Sequence, residues 1–290
     1  MSINGYPIID AHAHIMPVRM IKPAPLALWR ETYRDNADEI IETLESPAKL
    51  LAHMDREGIE KVVCINYIAR DIFGFTDEVH DYVTEICRHA PERLLPCGGV
   101  DPVHSTDLPA DARRVIEHYK VKMLKVHGPH TLYSPDDYLH DKPALAEVYR
   151  QAEAAGVPVM FHTGTSVFPG ARSKFGHPMA IDDVAVDFPN LKIIMAHGGR
   201  PLWMNEAFFL LRRHRNVYMD ISGIPPKSLL TYFPRIEEIA HKTLYGSDWP
   251  SPGIPGMRAN AEAVTNLPLK EATKRKILYE NANNLLFNGA

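Results

Sequence analysis

One pattern constrains this chain more than any other. Eight short apolar runs, most of them closed by a polar or ionisable residue, are separated by stretches with helical spacing. The runs cover residues 8–14, 61–66, 94–100, 121–127, 157–162, 191–197, 217–222 and 243–248. Most show no polar–apolar alternation. That pattern belongs to parallel strands buried on both faces, because a strand with one wet face alternates. Helical spacing fills residues 47–57, 76–89, 107–119, 143–155, 178–187, 201–213 and 227–241. Ser46-Pro47 reads as an N-cap followed by proline at the first helical position, and Gly58 reads as the stop.

Eight strands, each followed by a helix, predict an α/β fold of the (β/α)8 TIM-barrel type, as a single domain over residues 1–290. The competing architecture is an open doubly wound sheet. It usually has fewer strands and a glycine-rich phosphate loop after the first, and neither G-x-G-x-x-G nor a P-loop occurs here. Residues 15–46 are polar and proline-rich, with a short helix expected at 36–44. They form a long segment after strand 1 suited to a lid over the barrel mouth, carrying Met16, Arg19 and Trp29. The tail, 270–286, has the spacing of an amphipathic helix.

Composition narrows the setting. Of 290 residues, 45% are hydrophobic, enough for a large core, and the net charge of −4 offers no basic stripe for nucleic acid or an anionic membrane. No apolar stretch approaches the length of a membrane span, and no basic-then-apolar leader is read at the N-terminus. Cys64, Cys87 and Cys97 are odd in number and lack C-x-x-C spacing. They fit reduced core thiols, and the expected location is the cytoplasm. Fifteen histidines supply metal-binding and proton-moving groups.

A TIM barrel carries its active site at the C-terminal ends of its strands. His12 and His14 stand at the end of the first run. A strand's period of two puts them on one face, about 6–7 Å apart. Lys125 and His127 stand on the fourth run, His162 ends the fifth, His197 the sixth and Asp248 the eighth. Charged groups at the ends of apolar runs need partners, and a ring of histidine and aspartate at one mouth is the pattern of a metal site. Each member also has a plainer use. His162 suits a core histidine bonded to a carbonyl, Asp248 a turn cap, and Lys125 a buried ion pair. Asp10 reads as a bonding or packing residue.

These residues carry a resemblance. Ile9-Asp10-Ala11-His12-Ala13-His14, Lys125-Val126-His127-Gly128, Phe161-His162-Thr163-Gly164, Met195-Ala196-His197-Gly198-Gly199 and Tyr245-Gly246-Ser247-Asp248-Trp249-Pro250 resemble the amidohydrolase superfamily. The similarity is to its amidohydrolase-related branch, which includes aminocarboxymuconate-semialdehyde decarboxylase-like enzymes. The closing Glu280-Asn281-Ala282-Asn283-Asn284-Leu285-Leu286 matches as well. The resemblance implies that His12, His14, His162 and Asp248 hold one divalent metal, zinc first, with Mn²⁺ or another first-row ion as alternatives. It implies catalytic roles for His197 and Asp248, with His197 as acid/base, polarising group or further ligand.

Two reactions follow. The first is hydrolysis of a small amide, lactone or ester by metal-activated water, with Asp248 taking its proton and His197 bonding the oxyanion. The second is non-oxidative decarboxylation of a small aromatic or unsaturated carboxylic acid on the same site. The chain's compactness tilts the reading toward hydrolysis. A lactonase working without metal, and a barrel that binds without catalysis, stand behind these. Lys125, His127, Arg200 and Trp249 are candidate contacts to a small, carboxylated substrate, and Lys125 also suits carboxylation as a metal bridge. Phe168, Arg172, Lys174, His177 and Trp203 are further candidates at the mouth. Family likeness also suggests a homodimer.

Overall fold

The computed structural model describes residues 1–287. Eight parallel strands stand in one sheet in chain order: β1 Ile9–Ala13, β2 Lys61–Cys64, β3 Leu94–Gly98, β4 Met123–Val126, β5 Val159–His162, β6 Ile193–Ala196, β7 Val217–Asp220 and β8 Thr243–Leu244. Every residue of β4, β5 and β6 is buried, as their unalternating sequences require. Helices lie outside, so the two faces of the sheet become the barrel's packed interior and the layer beneath the helices.

The first and last strands meet through backbone bonds. Ala11 N donates to Tyr245 O (3.0 Å), Asp248 N to His12 O (2.8 Å) and His14 N to Trp249 O (2.7 Å). Asp10 strengthens this seam: its Oδ1 accepts from His12 N (3.1 Å) and from Ser247 N (2.9 Å). Its burial pushes the carboxyl pKa up to about 7.

The local signals act as expected at several helix ends. Ser46 caps the helix Pro47–Glu57 by accepting from Lys49 N, and Gly58 closes it at a left-handed φ of 74°. Gly156 closes Leu145–Ala155 in the same way, at φ 67°.

The segment after β1 departs from the expected loop. Residues Pro23–Tyr33 form an α-helix, and a second helix spans Ala37–Glu45. Pro23 and Pro25 occupy its first turn, where proline's missing N–H costs nothing. This helix is tied to the segment after β8. Trp29 Nε1 donates to Pro250 O (2.7 Å), and the Tyr33 hydroxyl lies 2.8 Å from Ser251 O and 3.0 Å from Ile254 O. A helix at Met257–Thr265 was not anticipated.

The terminal segment is helical, partly with π-type turns. It is sewn to the barrel by Asn281, whose Nδ2 donates to Ala240 O and Thr243 O, both at 2.7 Å. The three cysteines are free and buried. Among the described residues, no helix is long and apolar enough to cross a membrane.

Candidate metal centre and active-site cavity

The seam between β1 and β8 places the first cluster. His14 Nε2 lies 3.2 Å from Asp248 Oδ1, and His12 Nε2 lies 3.6 Å from the same oxygen. Each of the three can offer a ligand atom within 4.8 Å of the other two. A second triangle of the same size joins His12, His197 and Asp220, so His12 is common to both.

The hydrogen bonds say which side of each ring is in use. His12 Nδ1–H donates to Asp220 Oδ2 (2.9 Å), with Ser222 Oγ 3.0 Å away. Burial, with the Lys125 charge behind it, pulls the His12 pKa down to about 4, so the ring is neutral and has one N–H to give. Nε2 is thereby left as an acceptor facing Asp248. His197 is set likewise. Its Nδ1–H donates to Ser222 O (2.9 Å), and its backbone N donates to Asp220 Oδ1 (3.2 Å). A carboxylate behind a ring nitrogen is the usual way a metal-binding histidine is oriented. Asp220 ends β7 and Ser222 follows it. Neither was singled out from the sequence, although Val217-Tyr218-Met219-Asp220 carries the same signal as the other strands: an apolar run ending in an acid.

Electrostatics favour an ionised Asp248. Burial pushes its pKa up, but the hydrogen bond from His14 and the positive charge of Arg200 hold it well below the usual carboxylate range. Arg200 Nη2 lies 3.6 Å from Asp248 Oδ2, while its Nε is buried without a partner. Asp248 and His197 both have left-handed backbones, at φ 68° and 67°. This is an uncommon conformation for residues with side chains, and such residues gather at functional sites.

His162 lies outside both triangles. Its ring is 4.6 Å from that of His197 and stacks on His127 at 3.9 Å, and His127 stacks on His130 at 3.5 Å. Both His162 ring nitrogens are buried without a hydrogen-bond partner. Burial first, then neighbouring charges, pushes the pKa values of His127, His130, His162 and His197 well below that of free histidine. Lys125 Nζ lies 3.4 Å from His12 Nε2, the nitrogen that faces Asp248, though Lys125 is absent from the lining of the cavity over the cluster, and burial brings its pKa down to about 8.

A cavity of about 310 Å³ opens over this cluster. His14, His162, His197, Asp248 and Arg200 face it, and Trp29, Tyr67, Phe73 and Phe168 supply apolar wall. Met16 and His127 also line it. Trp249 does not: it is buried and stacks on His53 at 4.7 Å. Arg19, Arg172, Lys174, His177 and Trp203 are likewise absent from the lining. Arg19 instead borders a larger groove of about 1400 Å³ along the helix Glu78–Arg88 on the barrel's flank, which holds none of the clustered histidines or Asp248.

The donor set fits a divalent cation. Neutral imidazoles and a carboxylate suit zinc or manganese, and His162's two partnerless buried nitrogens are what a histidine awaiting a ligand would show.

An eight-stranded barrel whose strand ends converge on histidines and an aspartate defines a class of TIM-barrel proteins with a candidate metal site at the mouth. Residues 9–287 match a family model described as amidohydrolase, and the chain belongs to that family. The fold is shared with solved structures of low sequence identity. A TIM-barrel protein, Bb4693, of Bordetella bronchiseptica is 22% identical, with a TM-score of 0.73 over 97% of this chain and 98% of that one. The 5-carboxyvanillate decarboxylase LigW2 of Novosphingobium aromaticivorans, solved with manganese and 3-methoxy-4-hydroxy-5-nitrobenzoic acid, is 16% identical, with a TM-score of 0.68 over 97% of each chain. The 4-oxalomesaconate hydratase LigJ of Rhodopseudomonas palustris is 17% identical, with a TM-score of 0.66 over 96% of this chain and 95% of that one. No curated protein sequence matches the chain.

Proposed function

We propose that this protein is a metal-dependent carboxy-lyase that releases CO₂, without redox chemistry, from a small ring-bearing carboxylic acid. The observation that carries the reading is Arg200. Its buried, partnerless Nε and its Nη2 stand beside Asp248 at an aromatic-walled cavity. A guanidinium with an unused donor in such a place suits a carboxylate, and Trp29, Tyr67, Phe73 and Phe168 suit a flat ring. The fold shared with a manganese-containing decarboxylase is consistent with this.

His12, His14, His162 and Asp248 are the residues assigned to the metal, with Asp220 orienting His12 from behind. When bound, the cation supplies positive charge that fixes an anionic substrate and stabilises negative charge developing on it. Arg200 pairs with the carboxylate, and the apolar walls strip it of water. As the C–C bond breaks, its electron pair stays on the ring carbon and CO₂ departs. The proton that takes the place of CO₂ comes from solvent and reaches that carbon by way of Asp248, which is ionised at rest. His197, with Nδ1–H committed to Ser222 O, presents Nε2 to the same space.

Hydrolysis of a small lactone, ester or amide is the second reading. It is favoured by the ionised Asp248, which is ready to act as a base toward water. CO₂ release from hydroxybenzoates, compared with hydrolysis of lactones and amides by manganese- and zinc-loaded protein, tests the two. Hydrolysis without CO₂ release would overturn the lyase reading.

A further inference from the structure

Beside the metal-facing half of the cavity runs a hydrogen-bonded chain of side chains from three different strand ends. The Tyr67 hydroxyl is 3.0 Å from His130 Nδ1, and His130 Nε2 is 2.8 Å from Ser166 Oγ. Tyr67 follows β2, His130 follows β4 and Ser166 follows β5. All three line the cavity, with Tyr67 and His130 buried and Ser166 partly open.

One arrangement of protons gives the Tyr67 hydroxyl proton a partner among the described residues. A neutral imidazole has one N–H and one acceptor nitrogen. If His130 carried its proton on Nδ1, Tyr67 would have to accept it. The buried Tyr67 proton would then lack any partner among the described residues, at a cost of about 1–3 kcal/mol. Tyr67 therefore donates to Nδ1, and Nε2–H donates to Ser166 Oγ. That oxygen also accepts a longer bond from Phe168 N (3.4 Å). With its lone pairs met, the Ser166 hydroxyl has only its proton left to offer, and the cavity is the direction open to it.

The chain is also held in place. His130 stacks on His127, which stacks on His162, so the donor's position is tied to the metal end of the cavity by ring contacts.

We propose that Ser166 is a fixed hydrogen-bond donor that selects substrates bearing a second oxygen acceptor, such as another carboxylate, on the ring away from the reacting carboxylate, with Tyr67 and His130 as the positioning residues that set its polarity. This rests on the carboxylate-binding reading above.

The test is calorimetric binding of three probes to manganese-loaded protein: benzoate, benzene-1,3-dicarboxylate and benzene-1,4-dicarboxylate. The expected result is that one dicarboxylate binds about tenfold or more tighter than benzoate, the range of a hydrogen bond to a charged acceptor. Ser166→Ala should collapse that ratio toward one, Ser166→Thr should restore it, and Tyr67→Phe should lower it severalfold by freeing the His130 tautomer. Benzoate binding with a ratio near one in the wild type, or with a ratio unmoved by Ser166→Ala, would overturn the selection role and leave the carboxylate site standing. Failure of all three probes to bind would overturn that site, and the selection role with it.

Discussion

Asp220→Asn separates the two ways of reading the histidine cluster. Asp220 Oδ2 receives His12 Nδ1–H at 2.9 Å, while Oδ1 receives Ser222 N at 2.9 Å and His197 N at 3.2 Å. An asparagine has one oxygen and one NH₂. Turned one way, its NH₂ meets His12 Nδ1–H; turned the other way, it meets two backbone N–H groups. Either choice sets donor against donor in a buried site, costing about 1–3 kcal/mol of stability. The His12 tautomer that leaves Nε2 free is no longer enforced. Loss of such an orienting carboxylate typically weakens metal binding 10–100-fold, or about 1.4–2.8 kcal/mol.

Titration of Mn²⁺ or Zn²⁺ against a chelator reads this directly, and urea unfolding with and without metal reads the stability term. Asp248→Asn removes an assigned ligand and should weaken the metal far more than Asp220→Asn. If Asp220→Asn abolishes binding while Asp248→Asn barely changes it, the metal belongs to the His12–His197–Asp220 triangle and the assignment above is wrong. Affinity within twofold of wild type for Asp220→Asn would refute the orienting role.

Gly223, at φ 62°, presses on the site from the segment after β7. A Cβ there would strike Arg200 Nη2 and lie 2.9 Å from Asp248 Oδ2, so Gly223→Ala should lower kcat/KM roughly 10–100-fold through displacement of both side chains, read by steady-state kinetics of the metal-loaded protein. Burial pushes the pKa values of His127, His130, His162 and His197 well below 6.5, and that of His12 down to about 4. The unfolded chain takes up protons as pH falls through about 6.5 and the folded chain does not. The stability these histidines lend the metal-free protein is therefore full above that pH and lost below it, at ~1.4 kcal/mol per pH unit for each unmatched proton, offset by one proton at Asp10, whose carboxyl is raised to about 7. Urea midpoints should drop steeply between pH 7 and 5.5, and a flat profile would refute this account. Asn281→Ala removes two bonds to buried carbonyls and should cost about 1–3 kcal/mol in urea unfolding while leaving metal affinity unchanged.

The barrel was legible because burial on both faces leaves a plain mark on each strand. A run such as Val159–His162 has no polar position to spare until it reaches the mouth. His12, His14 and Asp248 could be read because each ends or follows such a run, and the structure brings these three together. Asp220 carried the same mark but was absorbed into a run taken to continue to Ser222. His130 and Tyr67 carried none. Their partnership depends on three segments meeting across the mouth, which periodicity does not encode. The helix Pro23–Tyr33 was missed because its prolines mark a helix start only if a helix is already suspected. Trp249 looked like a contact at the mouth, but its indole turns away onto His53.

The seam between β1 and β8 has a consequence for the order in which the protein is made. Asp10 and Ser247, which bond across it, are 237 positions apart. At about 5–20 residues per second, that separation corresponds to on the order of 10–50 s of translation. His12 and His14 thus leave the ribosome long before Asp248 exists. Through that interval a nascent chain can present two histidines to any available metal ion without the carboxylate that would complete the set. Ordered binding has to wait for the strand that also shuts the barrel. A chain cut short anywhere before β8 loses its last wall and the Asp248 carboxylate together.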